Sequence, residues 1–595
     1  MGPGSQHTQM STPDDMMTAP PPSAQYKRWL LLIVVGCAVA LHAPSLLIGF
    51  VGDDYTHQFI LQGKWDHPNM RPWNLYDFGT YPLDTHSAWW NEGALPWWTD
   101  SDWKLRFFRP LASLTIWLDH TVYGDWVPGY KLTSLFWYAA LLLVIYGLYR
   151  AFELSQGTAL LAVALFAVAE CSLMPVGWVA NRNSLIAVLF MAASVLAVSR
   201  RRTWGYVPAL VAALALAALA CLAKEGGIAA FAMIVLYLVW ARRGSQPPIT
   251  GTQATAGAVT AGVLAGCYIV FLAASGYGAR SLYYPTPWGD TAEYLTRVGA
   301  LLPAGVCHLL GPFGLRTLLD RPFIALPVVV VLGWILWREL KAVPAARFFA
   351  AWIVLAILPQ AAGQPAQRML FGAAVGSSAL LALLVVSFLS RPRQETRYDA
   401  YRVLAIVILG YAGGLPAWKL MEGWADYART AKQRRQIITA ADVGSPDLGQ
   451  REAFILQSPY TGAALVPIAT WRVETDDAMV RFWPMQMERR ALRWTRLDER
   501  TFELESLDGP FLTRSLEKLF LADRSPRPAN AGWTTALFTV HTEGYDAQGL
   551  HSFRVHCPES LDHPSYRFLT FRERSFVALP PPAVGQSVTL ERVTR

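Results

Sequence analysis

The feature that most constrains this 595-residue chain is a succession of apolar runs, each of about the length that crosses a bilayer. A transmembrane helix needs about 20 predominantly apolar residues. The runs lie at residues 29–48, 131–149, 157–176, 184–199, 206–222, 227–241, 254–275, 322–337, 346–361, 369–390 and 402–418. A soluble chain of this length would be less apolar than 53% hydrophobic residues. The pattern therefore predicts a polytopic α-helical membrane protein with about eleven transmembrane helices.

Basic clusters between the runs determine the predicted orientation. Arginines at residues 200–202 and 242–243 follow the fourth and the sixth run, and cytoplasmic loops carry an excess of Lys and Arg. Treating residues 297–313 as an external or re-entrant helix keeps the clusters at 338–341 and 391–397 on the same side. The N-terminus is therefore predicted to be cytoplasmic and the C-terminus extracytoplasmic.

Two long segments then face the extracytoplasmic side. The first is the loop 51–130, whose tryptophans are mostly predicted to lie at the membrane–water interface; they are Trp65, Trp73, Trp89, Trp90, Trp97, Trp98 and Trp103. Its segment 103–121 is predicted to be a helix lying along that interface. The second is the tail 430–595, where long apolar runs stop.

The tail and the N-terminus complete the predicted domain organisation. Strand-like stretches at 453–457 and 535–541, separated by Gly, Pro and Asp, predict a small β-rich or α/β domain over residues 430–595. Residues 1–26 are polar and rich in Pro, Ser and Thr, which predicts a disordered arm. The transmembrane domain is expected to span residues 27–425.

Net charge and cysteine spacing exclude two classes of function. The formal net charge of +8 comes largely from arginine clusters between apolar runs, and membrane topology explains such clusters without a nucleic-acid partner. The six cysteines show no paired spacing typical of a disulfide framework or a metal site.

Paired carboxylates, Asp53 and Asp54, follow the first apolar run directly. Carboxylates beside a bilayer are energetically costly unless they are paired, hydrogen-bonded or functional. A base that removes a proton from a hydroxyl needs a carboxylate within reach, and a neighbouring carboxylate raises its pKa. Gly-Asp-Asp is also ordinary turn chemistry, so the pair alone leaves a catalytic and a structural role open.

Further motifs occur in a defined order along the chain. They are Gly52-Asp53-Asp54, Phe108-Arg109-Pro110-Leu111 before Leu118-Asp119, Trp126-Val127-Pro128-Gly129-Tyr130, Trp178 to Arg182, Ala223-Lys224-Glu225, Gln367 to Gly372, and Trp418. This order, over roughly residues 27–425, resembles the GT-C glycosyltransferases, membrane enzymes that use polyprenyl-phosphate-linked sugars. It is most similar to the protein O-mannosyltransferase-like branch, including the transmembrane half of the tetratricopeptide-associated O-mannosyltransferases.

The resemblance assigns expected roles to the charged residues of these motifs. Asp53 matches the base that activates the acceptor hydroxyl, and Asp54 would orient the acceptor or help to hold a divalent metal ion. Arg368 is expected to bind the donor phosphate, because a guanidinium presents a planar fork of donors to phosphate oxygens. Lys224 is expected to bind the same phosphate. Arg109 and Arg182 would add positive charge to the same cavity or hold the first loop in place. Glu225 and Tyr55 are expected to contact the acceptor or to support the site.

The implied activity is an inverting transfer of a hexose or pentose from a polyprenyl-phosphate donor to a hydroxyl acceptor. The acceptor would be a protein, lipid or glycan at the extracytoplasmic face, in a bacterial inner (plasma) membrane. The chain departs from the family at Lys131 and Ser134, where relatives often carry His and Asn, and at Tyr138, where a second His often lies. If those histidines shape the acceptor site in relatives, these departures imply a different acceptor. The tetratricopeptide repeats are also missing, so the C-terminal tail is expected to have another role.

Three alternative functions share parts of this pattern. A secondary transporter would place charges near the bilayer midplane and repeat its helix pattern. An envelope-polymer ligase or phosphotransferase would share the topology and also bind phosphate, so a donor assay is needed to separate the two. A non-enzymatic scaffold with a sensory outer domain leaves Asp53, Lys224 and Arg368 unexplained.

Overall fold

The computed structural model describes residues 24–65, 67, 69–79, 92–244, 249–391, 397–459, 464, 466–513, 516–522, 531–546 and 549–593. Most of the predicted disordered arm, Trp89 and Trp90, and most of the arginine cluster at 391–397 lie outside these residues.

The described part of the chain is dominated by α-helices. They are α1 (Ala24–His42), α2 (Asp53–Leu61), α3 (Pro110–Tyr123), α4 (Val127–Ala151), α5 (Gln156–Ala167), α6 (Leu173–Gly177), α7 (Arg182–Ser199), α8 (Arg201–Trp204), α9 (Tyr206–Ala223), α10 (Ala229–Gly244), α11 (Gly251–Ala274), α12 (Thr291–Leu310), α13 (Leu315–Asp320), α14 (Pro322–Leu340), α15 (Pro344–Ile357), α16 (Phe371–Leu389), α17 (Arg397–Leu409), α18 (Leu415–Thr439) and α19 (Pro467–Thr475).

Ten of the helical segments within the described residues are long and apolar enough to cross a membrane. The pair Gln156–Ala167 and Glu170–Gly177, bent by 59°, makes up to eleven when it is counted as one span. These helices pack around one continuous apolar core, which confirms the predicted polytopic fold. The segment predicted as an external or re-entrant helix is α12, which is not among the candidate spans.

The last span is longer than predicted. A π-helical turn at Gly410–Gly414 joins α17 to α18, and the candidate span and its extension run together from Ala400 to Thr439. Glycine lacks a Cβ and so accommodates the irregular backbone of such a turn. Because α18 crosses residues 425–430, where we predicted a domain boundary, one helix joins the bundle directly to the C-terminal region.

The strands among the described residues form three sheets. They are β1 (Asp77–Gly79), β2 (Lys104–Arg106), β3 (Gly278–Arg280), β4 (Arg451–Ile455), β5 (Val480–Pro484), β6 (Leu492–Arg496), β7 (Thr501–Ser506), β8 (Gly532–Thr534), β9 (Thr539–Asp546), β10 (Gly549–His556), β11 (Tyr566–Arg572), β12 (Ser575–Leu579) and β13 (Ser587–Leu590). The first sheet has the antiparallel order β1-β2-β3, the second has the order β13-β6-β7-β10-β9-β8, and the third has the order β12-β11-β4-β5. In the third sheet β4 runs parallel to both of its neighbours. The ten strands after residue 450 confirm the predicted sheet-rich C-terminal region.

The predicted interfacial helix 103–121 begins later than expected. Residues 104–106 form β2, which pairs with β1 and with β3, whereas α3 begins only at Pro110. Proline is well suited to the first turn of a helix, because its ring fixes φ and its missing N–H would be unpaired there anyway. Apolar side chains of α3 such as Leu118 and Val122 are exposed, and the placement of α3 along a membrane surface stays a prediction.

The predicted position at the membrane–water interface is wrong for three tryptophans of the first loop. Trp97, Trp98 and Trp103 are fully buried, and their indole N–H groups donate to the carbonyls of Met485 (3.2 Å), Glu517 (3.2 Å) and Leu519 (2.7 Å). Buried indoles need a partner for the N–H group, and the C-terminal region supplies it. The first loop and the C-terminal region thus share one apolar core.

Candidate active site

Asp53 and Asp54 begin α2 immediately after a sharp turn. Gly52 has φ +55°, a left-handed conformation that glycine adopts without a steric penalty. The indole N–H of Trp178 donates to the Val51 carbonyl at 2.9 Å, and Trp178 lies 3.6 Å from where a Cβ on Gly52 would stand. This turn places both carboxylates at the N-terminus of α2.

Asp54 is held inside the protein. Its Oδ1 accepts the Ala180 N–H at 2.7 Å and its Oδ2 accepts the Val51 N–H at 3.1 Å. The ammonium group of Lys131, also fully buried, interacts electrostatically with Asp54 and donates to the Gly177 carbonyl at 2.7 Å. Burial raises the pKa of Asp54, and the Lys131 charge and the two N–H groups oppose that rise. Asp54 therefore fastens the turn to the loop at 177–180.

Asp53 has a different environment. In the described part of the chain, its carboxylate has no hydrogen bond and no ion pair within 4.0 Å, and the residue is partly exposed. Burial and the adjacent Asp54 raise the pKa of Asp53 to about 6, although Arg368 and Arg109 act in the opposite direction. A carboxylate with this pKa can accept a proton near neutral pH.

Arg368 is a cation whose guanidinium has no carboxylate partner among the described residues. Its guanidinium lies over the Trp178 ring, 5.4 Å from the centroid, and Nη1 is 3.8 Å from the Met174 sulfur. Among the described residues no carboxylate lies within 4.0 Å of it. A guanidinium stacked on an aromatic ring keeps its in-plane N–H donors available for a ligand.

Lys224 lies in the same cavity as Arg368. Its ammonium donates to the Ser184 hydroxyl at 2.7 Å. Burial, followed by the charges of Arg109 and Arg368, lowers the pKa of Lys224 to about 7, and Glu225 opposes that shift. The cavity has about 390 Å³ of empty volume, part of it open to solvent.

The cavity combines a polar rim with an apolar wall. Its lining residues are Ser184, Ala187, Val188, Met191, Lys224, Gly226, Gly227, Ala356, Gln360, Arg368, Met369, Phe371 and Gly372. A Cβ on Gly227 would stand 2.2 Å from the Ala220 carbonyl oxygen, and one on Gly226 would stand 2.4 Å from Nε2 of Gln360. Glycine at these positions lets the backbone pack closely beside Lys224.

Arg109 has a dedicated acidic partner. Its guanidinium contacts both carboxylate oxygens of Glu225, at 2.8 to 3.1 Å, and lies over the rings of Tyr76 and Phe107. Glu225, expected to contact the acceptor or to support the site, thus forms its ion pair with Arg109 and not with the adjacent Lys224 among the described residues. The predicted phosphate-binding role of Arg109 would thus need this pair to open.

Arg182 does not line the cavity and is fully buried. It contacts Asp119 at 2.5 Å, the Ser134 hydroxyl at 2.9 Å and the Tyr130 carbonyl at 2.5 Å. These contacts join Arg182 to α3 and α4, which fits the alternative in which it holds the first loop in place.

Tyr55, expected to contact the acceptor or support the site, is not among the residues that line the cavity. Its hydroxyl donates to Oε1 of Glu474, on α19, at 2.8 Å. This contact joins α2 to the C-terminal region over more than 400 residues of sequence.

Sequence reasoning missed several residues of the site. Tyr283 and Tyr284, just after β3, interact electrostatically with Arg368 and Asp53. Lys131 entered the sequence argument only as a departure from a family pattern, and Gln360 not at all. No local signal marks the two tyrosines, because β3 brings them to the site through pairing with a strand about 170 residues earlier.

The residues do not fit a metal site at Asp54. Both of its oxygens accept backbone N–H groups, and Lys131 already supplies a positive charge. The described residues hold no cluster of three or more His, Cys, Asp or Glu that could bind a metal ion. Hard divalent cations need several oxygen ligands, so no step of the chemistry is assigned to a metal.

No model of a known protein family matches the chain, and no curated protein sequence matches it. Among solved structures, the chain is similar to the Archaeoglobus fulgidus oligosaccharyltransferase tethered with an acceptor peptide, with 12% identity and a TM-score of 0.41. The match covers 78% of this chain and 64% of the oligosaccharyltransferase, so the chain spans just under two thirds of that protein's length.

Two further structures are similar at the same level. For ArnT from Cupriavidus metallidurans bound to undecaprenyl phosphate, the identity is 13%, the coverage is 76% of this chain and 85% of ArnT, and the TM-score is 0.39. For the arabinofuranosyltransferase AftD from Mycobacteria, the identity is 16%, the coverage is 74% of this chain and 31% of AftD, and the TM-score is 0.33. At such TM-scores these similarities carry no argument about chemistry, which must come from the site itself.

Proposed function

We propose that the chain is a membrane glycosyltransferase of the GT-C type, closest to the protein O-mannosyltransferase-like branch. It would transfer a hexose or pentose from a polyprenyl-phosphate donor to a hydroxyl acceptor. One observation carries the proposal: among the predicted charged site residues of the described chain, Asp53, Lys224 and Arg368 form no ion pair within 4.0 Å and, unlike Asp54, make no side-chain hydrogen bond to the backbone.

The chemistry of these three groups fits such a transfer. Asp53, with a pKa of about 6, would take the proton of the acceptor hydroxyl as its oxygen attacks the anomeric carbon. The bond from that carbon to the phosphate oxygen breaks on the opposite side, so the configuration inverts. Arg368 and Lys224 would stabilise the negative charge that the polyprenyl phosphate gains as it leaves.

The cavity supports a lipid-linked donor rather than a soluble one. Its two cations, Lys224 and Arg368, lie at the ends of membrane-spanning helices and line the cavity together with apolar side chains of those helices such as Val188, Met191 and Phe371. The phosphate of a lipid-linked donor would contact the two cations, and its hydrocarbon chain would pack against the apolar side chains along the helices. We place the site at the extracytoplasmic face of a bacterial inner membrane, with the N-terminus in the cytoplasm, on the basis of the arginine clusters.

A donor assay tests this function. Purified full-length protein in nanodiscs is incubated with polyprenyl-phosphate sugars labelled in the sugar or in the phosphate, together with a membrane extract as the source of acceptor. We expect sugar label, without phosphate label, in a product, and free polyprenyl phosphate in equal amount. Asp53→Asn serves as the matched inactive control, since it differs by one charge.

Two results would contradict the proposal. Phosphate label in the product would identify a ligase or phosphotransferase of similar topology. Absence of sugar transfer across the donor panel, from protein that is folded and monodisperse, would reject glycosyl transfer from this class of donor.

A further inference from the structure

Helix α19 of the C-terminal region packs against α2, the helix that begins at Asp53. The buried Tyr55, two residues after Asp53, donates its hydroxyl to Oε1 of Glu474 at 2.8 Å. Because one partner is a carboxylate, this is a charge-assisted hydrogen bond, stronger than one between neutral groups. It ties the first turn of α2 to α19.

The last turn of α2 and the residues just after it contact the same stretch. The Arg472 guanidinium lies over the ring of Phe59, in the last turn, 5.6 Å from its centroid. Lys64, three residues after the helix ends, donates to the Arg472 carbonyl at 3.1 Å and forms an ion pair with Asp476 at 2.9 Å. Residues 472–476 therefore contact the helix that carries Asp53 at its first turn and its last turn.

The C-terminal region also holds the opposite side of the site. The Ser281 hydroxyl donates to the Leu519 carbonyl at 2.7 Å, and the Leu282 N–H donates to the Leu521 carbonyl at 2.8 Å. These two residues immediately precede Tyr283 and Tyr284, which interact electrostatically with Asp53 and Arg368.

Such support is needed for a physical reason. Helix α2 has nine residues, and isolated helices shorter than about 12 residues are marginal in water. The Asp53 carboxylate has no hydrogen bond among the described residues, so its orientation depends on the position of α2. A reacting carboxylate needs placement to within about 0.5 Å.

We infer that the C-terminal region positions the Asp53 carboxylate through the Tyr55–Glu474 contact, so that Tyr55 and Glu474 are positioning residues for the transfer. This inference rests on the proposed function of Asp53. It assigns to the C-terminal region a part in catalysis that requires no contact with substrate.

A double-mutant cycle in the full-length protein tests the contact. Tyr55→Phe and Glu474→Ala are each expected to lower kcat about tenfold, the equivalent of a lost hydrogen bond to a charged group, with the donor KM unchanged. The double variant should lose no more than the worse single variant, because both changes remove one contact. Unchanged kcat in both single variants, or fully additive losses, would overturn the inference.

Two further variants separate positioning from general stability. Glu474→Gln keeps an oxygen that accepts the Tyr55 hydroxyl but loses the ion pair of Glu474 with Arg435, 3.8 Å away. It should retain most of the kcat that Glu474→Ala loses, whereas a role confined to the ion pair would reduce kcat equally in both. Asp562→Asn, which removes the carboxylate charge that pairs with Arg496 elsewhere in the C-terminal region, is the matched control and should leave kcat unchanged.

A measurement without substrate keeps this inference distinct from the proposed function. Hydrogen–deuterium exchange of residues 53–61 should become faster in Tyr55→Phe and Glu474→Ala but not in Asp562→Asn. Exchange unchanged in all three variants would reject the tether. Full transfer activity in Asp53→Asn would instead reject the function of Asp53 itself and leave the exchange result unaffected.

Discussion

Two sets of charged side chains lie at the same end of the helix bundle and differ in how they are partnered. The paired set comprises Asp54, Arg109 and Arg182, which are satisfied by Lys131 and backbone N–H groups, by Glu225 and by Asp119. The open set comprises Asp53, Lys224 and Arg368, which form no ion pair within 4.0 Å in the described chain and, unlike Asp54, make no side-chain hydrogen bond to the backbone.

The difference separates structure from chemistry. A buried charge whose hydrogen-bonding groups are all used inside the protein holds elements together and has little left to offer a ligand. A charge left without a partner beside a cavity is stabilised most when a substrate of opposite charge arrives. Residues of both sets look alike in the sequence, where aspartates and arginines occupy comparable positions at helix ends.

The largest expected effect on activity is that of a substitution at Asp53. Asp53→Asn removes the proposed base and should lower kcat about 1,000-fold, within the range for general base catalysis. The thermal unfolding midpoint should rise rather than fall at neutral pH, because no described residue depends on the Asp53 carboxylate and burial, which raises its pKa to about 6, makes its charge unfavourable in the folded state. Asp54→Asn is the matched variant: it should lower the midpoint, since an amide N–H₂ would meet a backbone N–H. Equal losses of stability in the two variants would remove the distinction between them.

Arg182 tests the paired set. Arg182→Leu leaves Asp119 buried without its partner and should destabilise the protein by about 3–5 kcal/mol, measured as a lower unfolding midpoint in detergent. Arg182→Leu with Asp119→Leu should recover much of that loss, because an apolar pair replaces the buried ion pair. A stable single variant with weakened donor binding would move Arg182 into the open set.

Arg368 tests the open set from the donor side. Arg368→Ala should raise the donor KM about 10- to 100-fold, as expected for hydrogen bonds to a charged group, with little change in the acceptor KM or the unfolding midpoint. Arg280→Ala is the control, since Arg280 is half-exposed and pairs with Asp102 outside the cavity. Donor binding that survives Arg368→Ala would give this arginine a structural role.

The smallest expected effect is the pH dependence of kcat/KM. Asp53 must be ionised, so the rate should fall as the pH drops below about 6, the pKa of Asp53. Lys224 must be protonated, so donor binding should weaken as the pH rises above about 7, the pKa of Lys224. A bell-shaped profile with its maximum between these values is therefore expected. Lys224→Arg should remove the alkaline limb, because arginine stays charged; a limb that persists would assign it to another group.

Much of the fold was predictable because it depends on local composition. Hydropathy over a window of about 20 residues locates a membrane span whatever the span packs against, and the eleven predicted runs correspond to the ten candidate spans plus the bent pair. Strand-like composition after residue 450 predicted the sheet-rich region for the same reason. Where the local rule was wrong, as for Trp97, Trp98 and Trp103, a second apolar surface competed with the membrane: the C-terminal region, more than 350 residues away.

The candidate site was predictable only in part. The order of short motifs drew attention to Asp53, Asp54, Lys224 and Arg368, but the same reasoning placed Arg109 and Arg182 beside them. Motif spacing cannot show that Glu225 pairs with Arg109, or that Asp119 pairs with Arg182, because each pair joins segments more than 60 residues apart. Nor does it show that strand pairing delivers Tyr283 and Tyr284 to the site.

The sequence by itself determined which segments enter the membrane and which charged residues stand at their ends, since both follow from the polarity of neighbouring residues. Only the tertiary structure decided which of those charges are satisfied within the protein and which remain open to a ligand. That outcome depends on distances of 2.5 to 2.8 Å between side chains far apart in the chain, and on one contact, Tyr55 with Glu474, that holds the helix of Asp53 against the C-terminal region.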